Sequence, residues 1–309
     1  MIVRKTVTQL LSVSIAVAVL AAFVPGSPAA AQSGSGADAQ AAVRAPGAGS
    51  QLQSVHMSGQ LQALSQSMIT HSLLTALSID KKKNVKVLAK DRDRFVRTVK
   101  ALRHGDEKLG LRATKNPKIL EKLDRLDREW AIFGPAVQSI IDSKRATAQN
   151  VAIVAECILP IAEATRELID VYEYYATGGR TFSVLTGMVS QVEAQHALLK
   201  EMTAGFLLVA YGHKRESYRA RLWAYQVQFD MVLRGLIEGN PRLKLLPAPD
   251  VKLRERFRAA REKWIDLLSI TKSVAEGGVV DPECISEVTA KSRQLAAELS
   301  EAVDRYKRL

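Results

Sequence analysis

The chain repeats itself. Gly59–Ser78, GQLQALSQSMITHSLLTALS, has a worn copy 134 positions later, Glu193–Gly212, EAQHALLKEMTAGFLLVAYG. At that constant offset Met68 falls on Met202, Leu73 and Leu74 on Leu207 and Leu208, and Phe95 on Phe229. Further along, Leu102 falls on Leu236, Gly105 on Gly239, and Trp130 on Trp264. Residues 59–130 share 15 identities with their copies without a gap, and these gather at apolar positions and turn glycines, where a shared packing puts them. A duplication of this length divides a 309-residue chain into two similar units, each long enough to bury its own core.

The periodicity inside each copy is helical. Leu88, Phe95, Val99 and Leu102 are spaced by 7, 4 and 3, and Leu222, Phe229, Leu233 and Leu236 repeat those steps, so the same face is buried twice. The pattern predicts helices over about 52–79, 85–103, 117–141 and 147–175. A second set follows over about 182–211, 215–238, 251–275 and 282–307. Asp80–Asn84 reads as a polar turn. Asn116-Pro117 reads as a helix start, with proline in the first turn. The connectors GDEKLGL and GNPRLKL, each opening on a glycine suited to a helix C-cap, read as extended loops tucked onto the bundle. No run of alternating β-branched residues marks a strand. The fold class is all-α, with two tandem four-helix-bundle-like repeats over 51–177 and 180–309, parted at Gly178-Gly179. Alternatively, the fourth helix of the first unit runs nearly straight into the next.

The N-terminus speaks to compartment. Arg4 and Lys5 precede the apolar run Leu10–Val24, which Pro25, Gly26 and Pro28 break before the small residues Ala29–Ala31. This is the layout of a secretory signal peptide over 1–31, with an apolar run short of the roughly 20 residues a spanning helix needs. Left uncleaved, the same stretch is a membrane anchor. Residues 32–50, rich in Gly, Ala and Ser, read as a flexible linker. The remainder is expected to be exported and periplasmic. Its formal charge falls from +12 to +10 when Arg4 and Lys5 are removed. A basic balance suits a small anion or an anionic surface, or is simply a solubilised exterior. Nucleic acid is not an expected partner, because the chain is exported and lacks aromatic interleaving or a binding module.

Cys157 and Cys284 each sit in the tripeptide Glu-Cys-Ile at the start of a fourth helix. In an oxidising compartment they can pair, a bond worth on the order of 2–4 kcal/mol, or each can pack as a small apolar residue in its own bundle. Nothing reads as catalysis: there is no HExxH, no glycine-rich phosphate loop, no CxxC and no GxSxG. The histidines, His56, His71, His104, His196 and His213, show no metal-ligand spacing. The chain reads as a non-enzyme with no cofactor and no metal. On the first helix Gln62, Ser65 and Gln66 share one face and can offer neutral donors to an anion, or can be an ordinary solvated boundary.

GQLQALSQSM resembles the motif GRxRMLSQRM that opens the sensor domain of the type IV pilus methyl-accepting chemotaxis transducers, a segment shared with the nitrate/nitrite sensor kinases (PilJ/NarX-like). The connector GDEKLGL and the leucine-rich helix to Trp130 are similar to the same domain. The likeness covers about residues 50–142 well and 184–275 more loosely. It implies an extracytoplasmic helical bundle that senses a small molecule or anion and relays a signal through an envelope or membrane partner. A structural adaptor with no small ligand is the alternative. In the nitrate sensors a motif arginine on the first helix of each subunit grips the anion at a dimer interface. Here Gly59, Leu64, Ser65, Gln66 and Met68 match the motif, but Gln60, Gln62 and Ser67 stand where its arginines are. In the second copy His196 takes the place of Gln62, and Lys200 that of Gln66. If the repeats pack as an intramolecular version of that dimer, Gln62 and His196 face each other and Lys200 supplies the missing charge. A histidine there binds an anion better below a pKa near 6.5.

Overall fold

Eight helices and two short connectors account for the residues that the structure, a computed structural model, describes, namely 48–177 and 184–306. The signal peptide read at 1–31, the linker up to residue 47 and the break at Gly178-Gly179 lie outside the described residues. The helices are α1 (Ala48–Ala76), α2 (Lys81–His104), α3 (Pro117–Ser143), α4 (Ala148–Ala176), α5 (Val184–Tyr211), α6 (Arg215–Glu238), α7 (Val251–Ala275) and α8 (Pro282–Tyr306). Helix α1 starts inside the stretch read as linker. Alanine has the best helix propensity of any residue, and a composition argument cannot see where such a segment stops being coil.

Neighbour follows neighbour in each half. In the first, α1 packs on α2 and α4, and α3 packs on α4 and α2; in the second, α5 packs on α6 and α8, and α7 packs on α8 and α6. Each set of four closes into a ring, and the buried residues of the two rings join in one hydrophobic cluster. Leu61, Met68, Leu73, Leu88, Phe95, Leu123 and Phe133 fill the first; Phe206, Phe229, Phe257, Trp264 and Leu295 fill the second. Truncating one of these, Leu73 for example, to alanine removes transfer energy and leaves a cavity, at a cost of about 2–5 kcal/mol. The rings meet through their first helices, α1 against α5. The described residues fall in one compact unit.

The caps follow sequence rules in most places. Asn116 accepts from the backbone N–H groups of Lys118 and Ile119, with Pro117 at the first helical position. Thr147 and Asn150 form a reciprocal capping box on α4, and Asp250 caps α7 through Leu253. The polar turn expected at 80–84 is shorter than read. Helix α2 begins at Lys81, and Asn84 is buried in its first turn, donating to the Ile79 carbonyl and bonded through Oδ1 to His71 Nδ1 at 2.6 Å.

The connectors also gain definition. Gly105-Asp106 (β1) pairs antiparallel with Leu111-Arg112 (β2), a minimal hairpin around a 3-10 turn. Its counterpart in the second repeat is a single bridge between Asn240 and Leu245. Leu111 and Leu245 are the buried leucines that pin each loop to its bundle. Gly105 (φ 83°, ψ 158°) and Gly239 (φ 85°, ψ 149°) share a backbone conformation that is essentially closed to other residues, which explains why both copies keep glycine there.

Candidate functional site

The residues singled out on the first helix have different fates. Ser65 is fully buried, and its hydroxyl donates to the Gln62 carbonyl at 2.9 Å. It belongs to a line of buried serines, Ser58, Ser65 and Ser72, spaced by seven; their counterparts in α5 are the buried Val192, Leu199 and Phe206. Ser65 is therefore a core position, and it faces the core because small side chains let helices approach closely. Gln62 and Gln66 are half-buried. The Gln66 amide nitrogen is shut away from solvent with no hydrogen-bond partner. Of the motif's arginine positions, Gln60 bonds His56 at 2.7 Å and accepts from Arg94 at 2.9 Å, while Ser67 donates to Asp91 at 2.6 Å.

On α5, His196 and Lys200 lie one turn apart, both half-buried. Among the described residues no carboxylate stands within ion-pairing distance of Lys200. Burial, and then the Arg293 guanidinium on α8, push the Lys200 ammonium below the ordinary lysine range. Burial, and then Lys200, push His196 down to about 4. The sequence-based expectation of a histidine titrating near 6.5 is thereby corrected. A desolvated imidazole beside a cation stays neutral at physiological pH, because both the lost solvation and the like charge oppose its protonation. Arg293 also acts on His71 of α1, whose pKa is lowered first by burial, while the Asn84 bond and Asp91 oppose that shift. The positive groups of α1, α5 and α8 thus fall within one another's fields. No hydrogen bond joins Gln62 to His196 or Gln66 to Lys200 among the described residues.

A second contact between the rings lies on the other side of α5. Tyr218 of α6 donates to the Ala155 carbonyl of α4 at 3.5 Å, and the Arg221 guanidinium sits 5.4 Å from the Tyr218 ring centre. Glu201 lies in the same cleft with Tyr225. Burial raises the Glu201 pKa against the opposing Tyr225 hydrogen bond, and the Tyr225 phenol is pushed up to about 12, again chiefly by burial.

Residues 48–155 match the family of type IV pili methyl-accepting chemotaxis transducer N-terminal domains, PilJ. The first repeat carries that match. It spans α1, α2, α3 and the start of α4. No curated protein matches the chain.

Within residues 48–155, the motif helix α1 packs on α5 of the second repeat, and the Ala155 carbonyl of α4 also meets that repeat through Tyr218. The cysteine pair does not bridge the repeats: Cys157 and Cys284 are free thiols. Cys157 is buried in the hydrophobic cluster and Cys284 packs half-buried against it, so each serves as a small apolar side chain. Among the described residues no group of three His, Cys, Asp or Glu side chains could hold a metal ion, and no helix is long and apolar enough to cross a membrane. Sequence reasoning missed Arg293. Only the packing of α8 on α5 brings it into the field of Lys200 and His71.

Proposed function

We propose that this chain is a periplasmic sensory component that binds a small anion or metabolite where its two repeats join, and acts through a separate envelope or membrane partner. One observation carries the reading. Position 66 of α1 presents an amide nitrogen shut from solvent without an acceptor, and the equivalent position 200 of α5 presents a half-buried lysine with no ion-pair partner among the described residues, on the two helices through which the rings meet. Buried donors left unpaired are costly, and native structures keep them chiefly where something else satisfies them. An anion would accept from Gln66 and Lys200, relieve the repulsion between Lys200 and Arg293, and raise the His196 pKa toward its ordinary value. The export signal read in residues 1–31 and the PilJ match support the compartment and the sensory role. Among the described residues no constellation suggests catalysis.

The test is a calorimetric and thermal-shift screen of the chain against nitrate, sulfate, acetate, pyruvate and glutamate. The reading expects saturable stabilisation by at least one, since a ligand specific for the folded state must raise its stability. It also expects Lys200→Met to abolish the effect. Stabilisation that survives Lys200→Met removes the site.

A helical adaptor is the second reading. Trp223, Val227 and Met231, spaced by four along α6, are 58%, 50% and 40% exposed and form an apolar stripe on the outer surface. An adaptor would use that stripe and would show no response to small molecules.

A further inference from the structure

The two repeats handle their shared tryptophan differently, and a cleft lies beside it in one of them. In the second repeat Trp264 is wholly buried, packs against Phe229 with ring centres 4.5 Å apart and planes tilted by 44°, and donates its indole N–H to Asp230 at 3.3 Å. Asp230 also pairs with Arg234 at 2.9 Å, so the outer edge of the α6–α7 seam is closed by an acid that satisfies both an indole and a cation.

In the first repeat the counterpart of Asp230 is Val96, and that of Arg234 is Lys100. Trp130 still stacks on Phe95 at 4.5 Å, but its indole N–H has no hydrogen-bond partner among the described residues. The ring leans over Gly134, where a Cβ would come within 2.8 Å of Cε2; the counterpart of Gly134 is Leu268. A cleft of about 240 Å³ lies on this seam between α2 and α3. Phe95, Val96, Val99 and Trp130 form its apolar lining, with Lys100 and His104 at the rim. Arg103 and Asp127 also border it, but they are spent on each other at 2.5 Å, with Asp124 taking the other guanidinium nitrogen at 2.8 Å. Lys100 makes no ion pair among the described residues.

We propose that this cleft is a second ligand site, specific for a small aromatic carboxylate. The half-buried Trp130 ring, backed by the buried Phe95, offers a surface for one ring system, and its unpaired indole N–H is a donor. Lys100, relieved of the acid that neutralises its counterpart, matches the ligand's negative arm. The apolar lining with few convergent polar groups is the usual anatomy of a small-molecule site. The site lies within the first repeat and does not depend on the contact between repeats.

The experiment titrates the full chain with indole-3-acetate and phenylacetate, with neutral indole as comparator. Calorimetry gives affinity, and the indole N–H resonances of the three tryptophans, assigned with Trp130→Phe, give the location. The carboxylates should bind saturably with dissociation constants at or below about 1 mM. They should move the Trp130 resonance and leave Trp264 in place. Lys100→Ala should weaken binding about tenfold, as expected for loss of a charged hydrogen bond. Val96→Asp, at an exposed position where a new carboxylate is tolerated, should abolish binding by capturing the indole and repelling the ligand. Absence of saturable binding, a response confined to Trp223, equal affinity for indole, or binding that survives Val96→Asp would each overturn the proposal.

Discussion

Trp264 and Asp230 are joined across 3.3 Å on neighbouring helices, and this bond is what distinguishes the closed seam of the second repeat from the open one of the first. The acid also holds Arg234, so removing it strands two groups at once. Asp230→Val should destabilise the chain by about 1–3 kcal/mol, the cost of leaving a buried donor unmade. Urea unfolding of the variant, at unchanged denaturant slope, measures it. An unaltered midpoint would mean that the bond contributes nothing.

Stability should fall as pH is lowered from about 6.5 to about 4. The folded-state pKa of His196 lies below its unfolded value, because burial and Lys200 oppose the charge. Between the two values the unfolded chain binds a proton that the folded chain refuses, so stability is fully present above the unfolded pKa and is lost through this window. Lys200 and, through it, Arg293 set the field at this site, and His71 and His213 are depressed in the same direction. The His196 share is at most about 3 kcal/mol across the window. His196→Gln should flatten the pH dependence of Tm over that range. A slope identical to that of the parent chain would contradict the assignment.

Gly105→Ala should cost more than Gly110→Ala, although the two are neighbours in one hairpin. A Cβ at Gly105 would lie 2.7 Å from the Ala113 nitrogen, in a backbone region closed to alanine, whereas Gly110 faces open space at φ 67°. The first change should cost at least about 2 kcal/mol, and the second about 1 kcal/mol, the left-handed penalty alone. Chemical denaturation of the pair checks the order.

Reductant should leave the melting temperature unchanged, because no bond joins Cys157 to Cys284. Burial pushes the Cys157 thiol up to about 11, and burial, then Asp281, also raises Cys284, but Cys284 is the more exposed of the two. Alkylation of the native chain, followed by mass spectrometry, should therefore modify Cys284 first. A drop in Tm on reduction would show that the thiols pair in solution.

The helices were legible because two copies of one pattern report the same buried face. Leu88, Phe95 and Leu102 could be checked against Leu222, Phe229 and Leu236, and all six are buried. Single polar residues were not legible in that way. Asn84 looks like turn chemistry until its bonds to His71 and Ile79 are seen. Ser65 looks like part of a polar stripe, but the buried Leu199 at its equivalent position marks it as core. The charge state of His196 depends on burial and on Lys200, and Arg293 enters only through the packing of α8. Val96 and Asp230 stand at matching positions in plain view, yet what the exchange does requires the tryptophan's place between two helices.

The most direct test of the anion reading is the titration of the His196 imidazole, followed by NMR with and without saturating sulfate or nitrate. In the free chain the ring should titrate near 4. An anion seated between Lys200 and Gln66 should draw that value upward toward 6.5 and protect the α1 and α5 amides. A His196 titration curve that is the same in the presence of every anion tested would contradict the account.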